Sequence, residues 1–324
     1  MRAMDSRSLG QATLLAFTGV VLAGGVNGTA IHIGNQELAP IWGAALRFGL
    51  ASMVLFAIVF ARRLPLPRGR ALVASVVYGV LSFGITFALV NWALVDTPPG
   101  TAQVILALVP LLTLVLAAGQ GLETLRLRSI LGSLVSVAGV VLIFGERVGT
   151  NVPLVSLLAV LGGAVSIAEA NVVAKRLPRC HPVANNAIGM GVGALVLLAL
   201  SLVLGEPLVL PQQPSTLIAL GYLALIGSVV VFTLYLFIIE RWTASATSYA
   251  LLLMPLVAVV VASLVLNEPI TPLLVAGAVL VLAGVYLGAF APSLKRPLPG
   301  LFGHRPAPAT AEVGPPVIIT PNCP

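Results

Sequence analysis

Ten runs of mostly apolar residues follow one another along this chain, each about as long as the 20 residues a helix needs to cross a bilayer core. They fall near residues 11–33, 40–61, 71–94, 100–119, 129–145, 153–174, 183–205, 215–239, 244–266 and 272–290. The links between them are short and polar or proline-bearing, among them NQELAP, RRLPLPRGR, VDTPPG, KRLPRCHP and GEPLVLPQQP. Unpaired backbone groups are not tolerated against hydrocarbon, so each run should be a helix and each link should lie at an interface. Composition agrees. Hydrophobic residues make up 59% of the 324 and charged residues only 8%, with a mean hydropathy of +1.09. A water-soluble surface usually needs about 25% charge. The expected fold class is an all-α membrane protein with ten transmembrane helices.

The net charge of +7 could suggest a nucleic-acid partner, but the positions of the charges argue against one. With the N-terminus placed in the cytoplasm, fifteen of the 17 Lys and Arg residues collect in the inner links and tails. Arg147 alone falls outside, and Arg47 lies within a span. That bias is the positive-inside signal, and it places both termini in the cytoplasm. The partners expected are therefore the lipid bilayer and a small-molecule substrate, with no nucleic acid; a homodimer is compatible with the sequence. The Pro- and Ala-rich segment 291–324 reads as a disordered cytoplasmic tail, and residues 1–10 as a short N-terminal one.

Shifted by 145 residues, segment 87–144 aligns with 232–289 without a gap. Pro110 meets Pro255, Glu123 meets Glu268, and Gly132 and Gly139 meet Gly277 and Gly284. Weaker matches pair Pro40 with Pro182 and the small residues 23–26 with 162–165. The chain thus divides into five-helix repeats over 11–145 and 153–290. Five crossings are an odd number, so the second repeat must be inverted. Inverted repeats are the signature of secondary carriers, in which two halves rock about a shared site.

With these residues in view, the sequence resembles the EamA family of the drug/metabolite transporter superfamily. The resemblance runs from about residue 14 to 290. It rests on Pro40 with Arg47-Phe48, Pro110, Glu123, Gly227, Pro255, Asn267-Glu268 and the run AGVYL. It implies a permease of the bacterial plasma (inner) membrane that exports amino acids or other small metabolites. It also implies a cavity lined mainly by helices 1, 3, 4, 6, 8 and 9. Glu169 and Asn171 in helix 6 depart from the family's apolar or aromatic pattern, and the first-half motif before helix 5 reads GLETLR rather than a tidy Gly-Glu pair.

Ionisable groups inside spans are functional candidates by default. Glu169 lies six residues before Lys175, hence roughly 9 Å deep at the helical rise per residue. It suits a proton-coupling carboxylate or a counter-ion for an amino group; alternatively it caps or pairs near the inner interface. Arg47 could snorkel outward, pair with a carboxylate or hold an anionic substrate. Candidate substrate-binding residues are Asn27, Asn91, Trp92, Gln103, Glu169, Asn171, Tyr235, Ser248 and Tyr249. Gln103 and Ser248 occupy equivalent places seven residues before Pro110 and Pro255, where a proline frees a helical carbonyl. The repeated glycines read as packing seams. No HExxH, P-loop or Cys/His spacing suggests an enzyme, a cofactor or a metal site. The function expected is gradient-driven export by alternating access. The alternatives are an organic-anion carrier using Arg47, or a non-transporting intramembrane enzyme or scaffold.

Overall fold

The computed structural model describes residues 6–97, 99–144, 152–177, 180–266 and 272–290. Asn267, Glu268, Arg147 and the tail 291–324 lie outside them. Ten helices, with no strand among the described residues, account for the fold. They are α1 (Ser6–Gly34), α2 (Pro40–Ala61), α3 (Gly69–Ala93), α4 (Pro99–Leu106 and Val109–Gly119) and α5 (Leu127–Phe144). The second five are α6 (Leu154–Arg176), α7 (Pro182–Val203), α8 (Pro214–Ile239), α9 (Ala244–Leu266) and α10 (Pro272–Val285, continued by Tyr286–Phe290). Nine are long and apolar enough to cross a membrane; α5 carries a shorter apolar run, Leu127–Ile143, among the described residues.

Local chemistry sets the helix ends. Proline opens α2, α7 and α8, where its fixed φ suits the first turn and its missing N–H costs nothing. Gly121 (φ 74°) and Gly205 (φ 69°) stop α4 and α7 in left-handed conformation. Arg63 (φ 51°) does the same for α2 at a position equivalent to Gly205, counting from Pro40 and Pro182. Two glutamates then tie links to helix starts. Glu206 accepts from Ile41 N (3.2 Å) and Trp42 N (2.8 Å), and Glu123 accepts from Ser245 N (3.0 Å) and Ser245 Oγ. A carboxylate at a helix N-terminus satisfies orphan donors and the dipole together.

The two halves are related by a pseudo-twofold axis, legible in which residues touch. Gly132 of α5 faces Gly284 of α10, and Gly139 faces Gly277; a Cβ at any of the four would stand 2.5–2.7 Å from the opposing carbonyl oxygen. Because Gly132 corresponds to Gly277 and Gly139 to Gly284 in the repeat, this contact is isologous. As the number rises along α5 it falls along α10, so the corresponding helices are antiparallel. Ser136 Oγ reaches the Val281 carbonyl, its own counterpart 145 residues on, at 3.4 Å, which marks the axis.

A second isologous contact joins α2 and α7. Gly49 faces Ala194, and Gly191 faces Ser52, whose Oγ donates to the Ala187 carbonyl at 2.8 Å. Around these seams α1 packs on α8 and α9, while its counterpart α6 packs on α3 and α4. Small residues let backbones approach where no water drives association. Between the halves sits an aromatic cluster: Phe48 lies 5.0 Å from Phe83 and 4.7 Å from Phe87, and Phe83 lies 4.8 Å from Phe232.

Candidate functional site

Both α3 and α8 contain a π-helical segment, at residues Val80–Ile85 and Leu225–Val230. The two are offset by the repeat distance of 145, so the irregularity is itself repeated. Widening a turn in this way interrupts the helical ladder and leaves a carbonyl needing an outside donor. In α8 that carbonyl is Gly227, which accepts from Arg47 Nη2 at 2.8 Å and Asn27 Nδ2 at 3.3 Å. In α3 the Leu81 carbonyl takes the Thr86 backbone N–H and also accepts from Thr86 Oγ1 at 2.7 Å and, across from α6, from Ser166 Oγ at 3.0 Å. Asn27 and Ser166 each directly follow the matched small-residue stretches, so α1 and α6 deliver equivalent donors.

Arg47 is the charged centre of this arrangement. It is 3% exposed, so it does not snorkel. Its Nε–H also donates to Ser228 Oγ at 2.7 Å, and the guanidinium carbon stands 5.0 Å and 5.6 Å from the Phe48 and Phe87 ring centres. Among the described residues no Asp or Glu forms an ion pair with it, and Nη1 donates to no protein atom.

Arg47 forms the floor of a narrow cleft, about 430 Å³ when the open space at its mouth is counted. Its walls are apolar, with Ile31, Leu38, Ala44, Phe87, Leu220 and Leu223, and its other polar side chains are Asn35 and Asn91. The cleft opens at the end of the molecule where α1 and α3 finish and α2 and α8 begin. The residues lining this cleft come from α1, α2, α3 and α8 and from the α1–α2 link.

The opposite end is latched. Lys175, in the last turn of α6, donates from Nζ to the carbonyls of Ile239 (2.8 Å), Glu240 (3.2 Å) and Trp242 (2.8 Å). These are among the carbonyls a helix C-terminus leaves unpaired, and the dipole favours a cation there. Gln36 holds the place equivalent to Lys175 at the end of α1, where the cleft is open.

The remaining sequence candidates separate into groups. Asn91 lines the cleft. Asn171 donates to Thr113 Oγ1 (3.4 Å) and accepts from the Tyr235 hydroxyl (2.9 Å), a buried chain joining α4, α6 and α8. Glu169 is not in the cleft and is not paired with Lys175. Both its oxygens accept from Gln120 Nε2, at 2.9 and 2.8 Å, in a separate, wider groove between α3 and α6 that also holds Arg70, Val73 and Arg176. Ser248 bonds within its own helix, to the Ser245 carbonyl at 2.7 Å. Tyr249 points to α5, where its hydroxyl meets Ser133 Oγ at 2.9 Å. Trp92 is 40% exposed on the outer surface, and Gln103 is half-buried on the first piece of α4. Asn35, Phe87, Thr113, Gln120 and Ser228 were not among the candidates. Short polar or aromatic residues on apolar helices give no signal until their partners are known.

Two antiparallel five-helix halves around a one-ended cleft define a ten-helix, inverted-repeat integral membrane protein. The sequence comparisons carry this to a family: the chain belongs to the EamA-like transporter family, which matches residues 11–145 and 154–289. It is thus a transporter and not an enzyme. It is 32% identical over 223 residues to the "Uncharacterized inner membrane transporter YedA" of Escherichia coli (strain K12), covering 68% of this chain and 72% of that one. The "Probable amino-acid metabolite efflux pump" of the same strain is 25% identical over 84% of this chain and 92% of its own. The "Probable terminal-alkyne amino-acid exporter" of Streptantibioticus cattleyicolor is 28% identical over 80% of this chain and 86% of its own. One crystal structure, 22% identical, superposes with a TM-score of 0.73 over 86% of this chain and 98% of that chain, which shows the fold.

Proposed function

We propose that this transporter is an inner-membrane secondary carrier exporting small metabolites, amino acids or similar molecules, by alternating access, with both termini in the cytoplasm. The observation that carries the reading is the cleft that descends to Arg47 from one end while Lys175 fastens the other. Rocking the antiparallel halves about the α2–α7 and α5–α10 seams would exchange the two conditions. The names of relatives support the cargo and the membrane: one is called an inner membrane transporter, and two are named for amino-acid efflux or export. The clustering of Lys and Arg in alternate links supports the orientation.

Glu169 is the proposed proton-coupling residue. It lies in the groove at the latched end, held by the amide of Gln120, whose own carbonyl accepts from Arg176 Nη2 at 2.6 Å. Protonation would remove one of the acceptors that tie α4 to α6. Purified protein in liposomes tests both parts. A panel of labelled metabolites should show exchange accelerated by unlabelled substrate on the far side. Glu169→Gln should keep that exchange and lose the response to an imposed pH gradient. No exchange of any metabolite would refute the carrier reading, and an unaltered pH response would remove Glu169 from the mechanism.

A further inference from the structure

We infer that Arg47 recognises a carboxylate, and that the cargo of this cleft bears a single carboxylate on an apolar body. The inference rests on the transport reading above and assigns its substrate class.

The argument starts from charge. A guanidinium this deep in a membrane protein is expensive unless an anion or dense hydrogen bonding compensates it. The protein supplies two neutral acceptors, the Gly227 carbonyl and Ser228 Oγ, and flanking rings, but no carboxylate among the described residues. Among the described residues Nη1 finds no acceptor, and Arg47 lines the cleft. An arginine presents a planar fork that fits carboxylate geometry, with its orientation here fixed by the two bonds it already makes.

The cleft narrows the ligand further. Among the described residues, Arg47 is the one charged residue that lines it. A monoanion would balance that charge, whereas a dianionic phosphate would carry excess negative charge into apolar surroundings. The walls of Ile31, Leu38, Phe87, Leu220 and Leu223 suit an aliphatic or aromatic side chain, and Asn91 adds a neutral polar contact. Position also matters. Arg47 belongs to α2 but is bonded to the π-helical segment of α8, so a ligand on its free edge would touch the joint between the two halves. Binding there can bias the rocking, which a site on one half alone could not do.

The test is competition in counterflow, using N-acetyl-L-leucine and N-acetyl-L-phenylalanine, both monoanions, as labelled probes and their uncharged primary amides as competitors. Removing the carboxylate charge while keeping the side chain should weaken competition about tenfold or more, the worth of a charge-assisted hydrogen bond. Arg47→Gln protein that still reaches the membrane should bring acid and amide within about twofold of each other. If that variant fails to fold, the wild-type competition decides alone. Amides competing as well as acids would overturn the assignment while leaving transport intact. Failure of either acid to exchange, while other metabolites do, would overturn the substrate class. Failure of every metabolite would defeat the transport reading instead.

Discussion

Single residues here take their roles from what the backbone leaves unsatisfied. Arg47 and Lys175, both flagged by charge alone, turn out to serve carbonyls: one at a π-helical segment, the other at a helix end. Their partners are main-chain atoms, so no pairing of side-chain types in the sequence could reveal them. Arg63 is the opposite case, a residue whose side chain is unsuited to its backbone. At φ 51° it pays a left-handed penalty that Gly205 avoids at the equivalent stop. Arg63→Gly should therefore stabilise the protein by about 1 kcal/mol, read as a higher Tm in detergent. His181 gives a pH dependence. Burial, and then the nearby Arg62, lower its pKa below the usual 6.5, and its neutral Nδ1 accepts from Val183 N at 3.3 Å to cap α7. The unfolded chain then takes up a proton more readily than the folded one, so this contribution is full above 6.5 and lost as pH falls through the lowered value. His181→Asn, which keeps a capping oxygen, should narrow the fall in Tm between pH 7 and 5; an unchanged fall would exclude the cap as its source.

At the scale of helices, the repeat was legible wherever sequence and contact coincide. Gly132, Gly139, Gly277 and Gly284 aligned because the same close approach is used twice, and any larger side chain would meet backbone. Gly139→Leu should cost at least the 1–3 kcal/mol typical of overpacking, whereas Gly28→Leu, with no neighbour within 4 Å, should leave the Tm nearly unchanged. Equal effects would contradict the seam. The π-helical segments were not legible. VLSFGI and LIGSVV share almost no residues although they adopt the same shape, because the shape is fixed by donors on other helices, Ser166 for one and Asn27 with Arg47 for the other. The repeated prolines also diverge in structure. α4 is interrupted just before Pro110, while α9 runs unbroken through Pro255. Identical residues in opposite halves thus need not share a conformation.

For the whole molecule, ten spans and their inversion followed from hydropathy and an odd helix number, physical constraints that act on every residue. The position of the cleft did not follow, because it depends on which end is latched. Lys175→Met should release that latch, and a shift toward the opposite state should slow outside labelling of a cysteine placed at Asn35 in the cleft. The account's central claim is that two antiparallel halves enclose a cleft facing the cell exterior, with the Glu169 groove facing the cytoplasm. Its most direct test is impermeant maleimide labelling of intact cells, with Cys180 and Cys323 replaced and one cysteine introduced at Asn35 or at Ala74. The account predicts that Asn35→Cys reacts from outside and that Ala74→Cys reacts only once the cells are opened. Labelling of Ala74→Cys from outside, or of both sites from the same side, would contradict it.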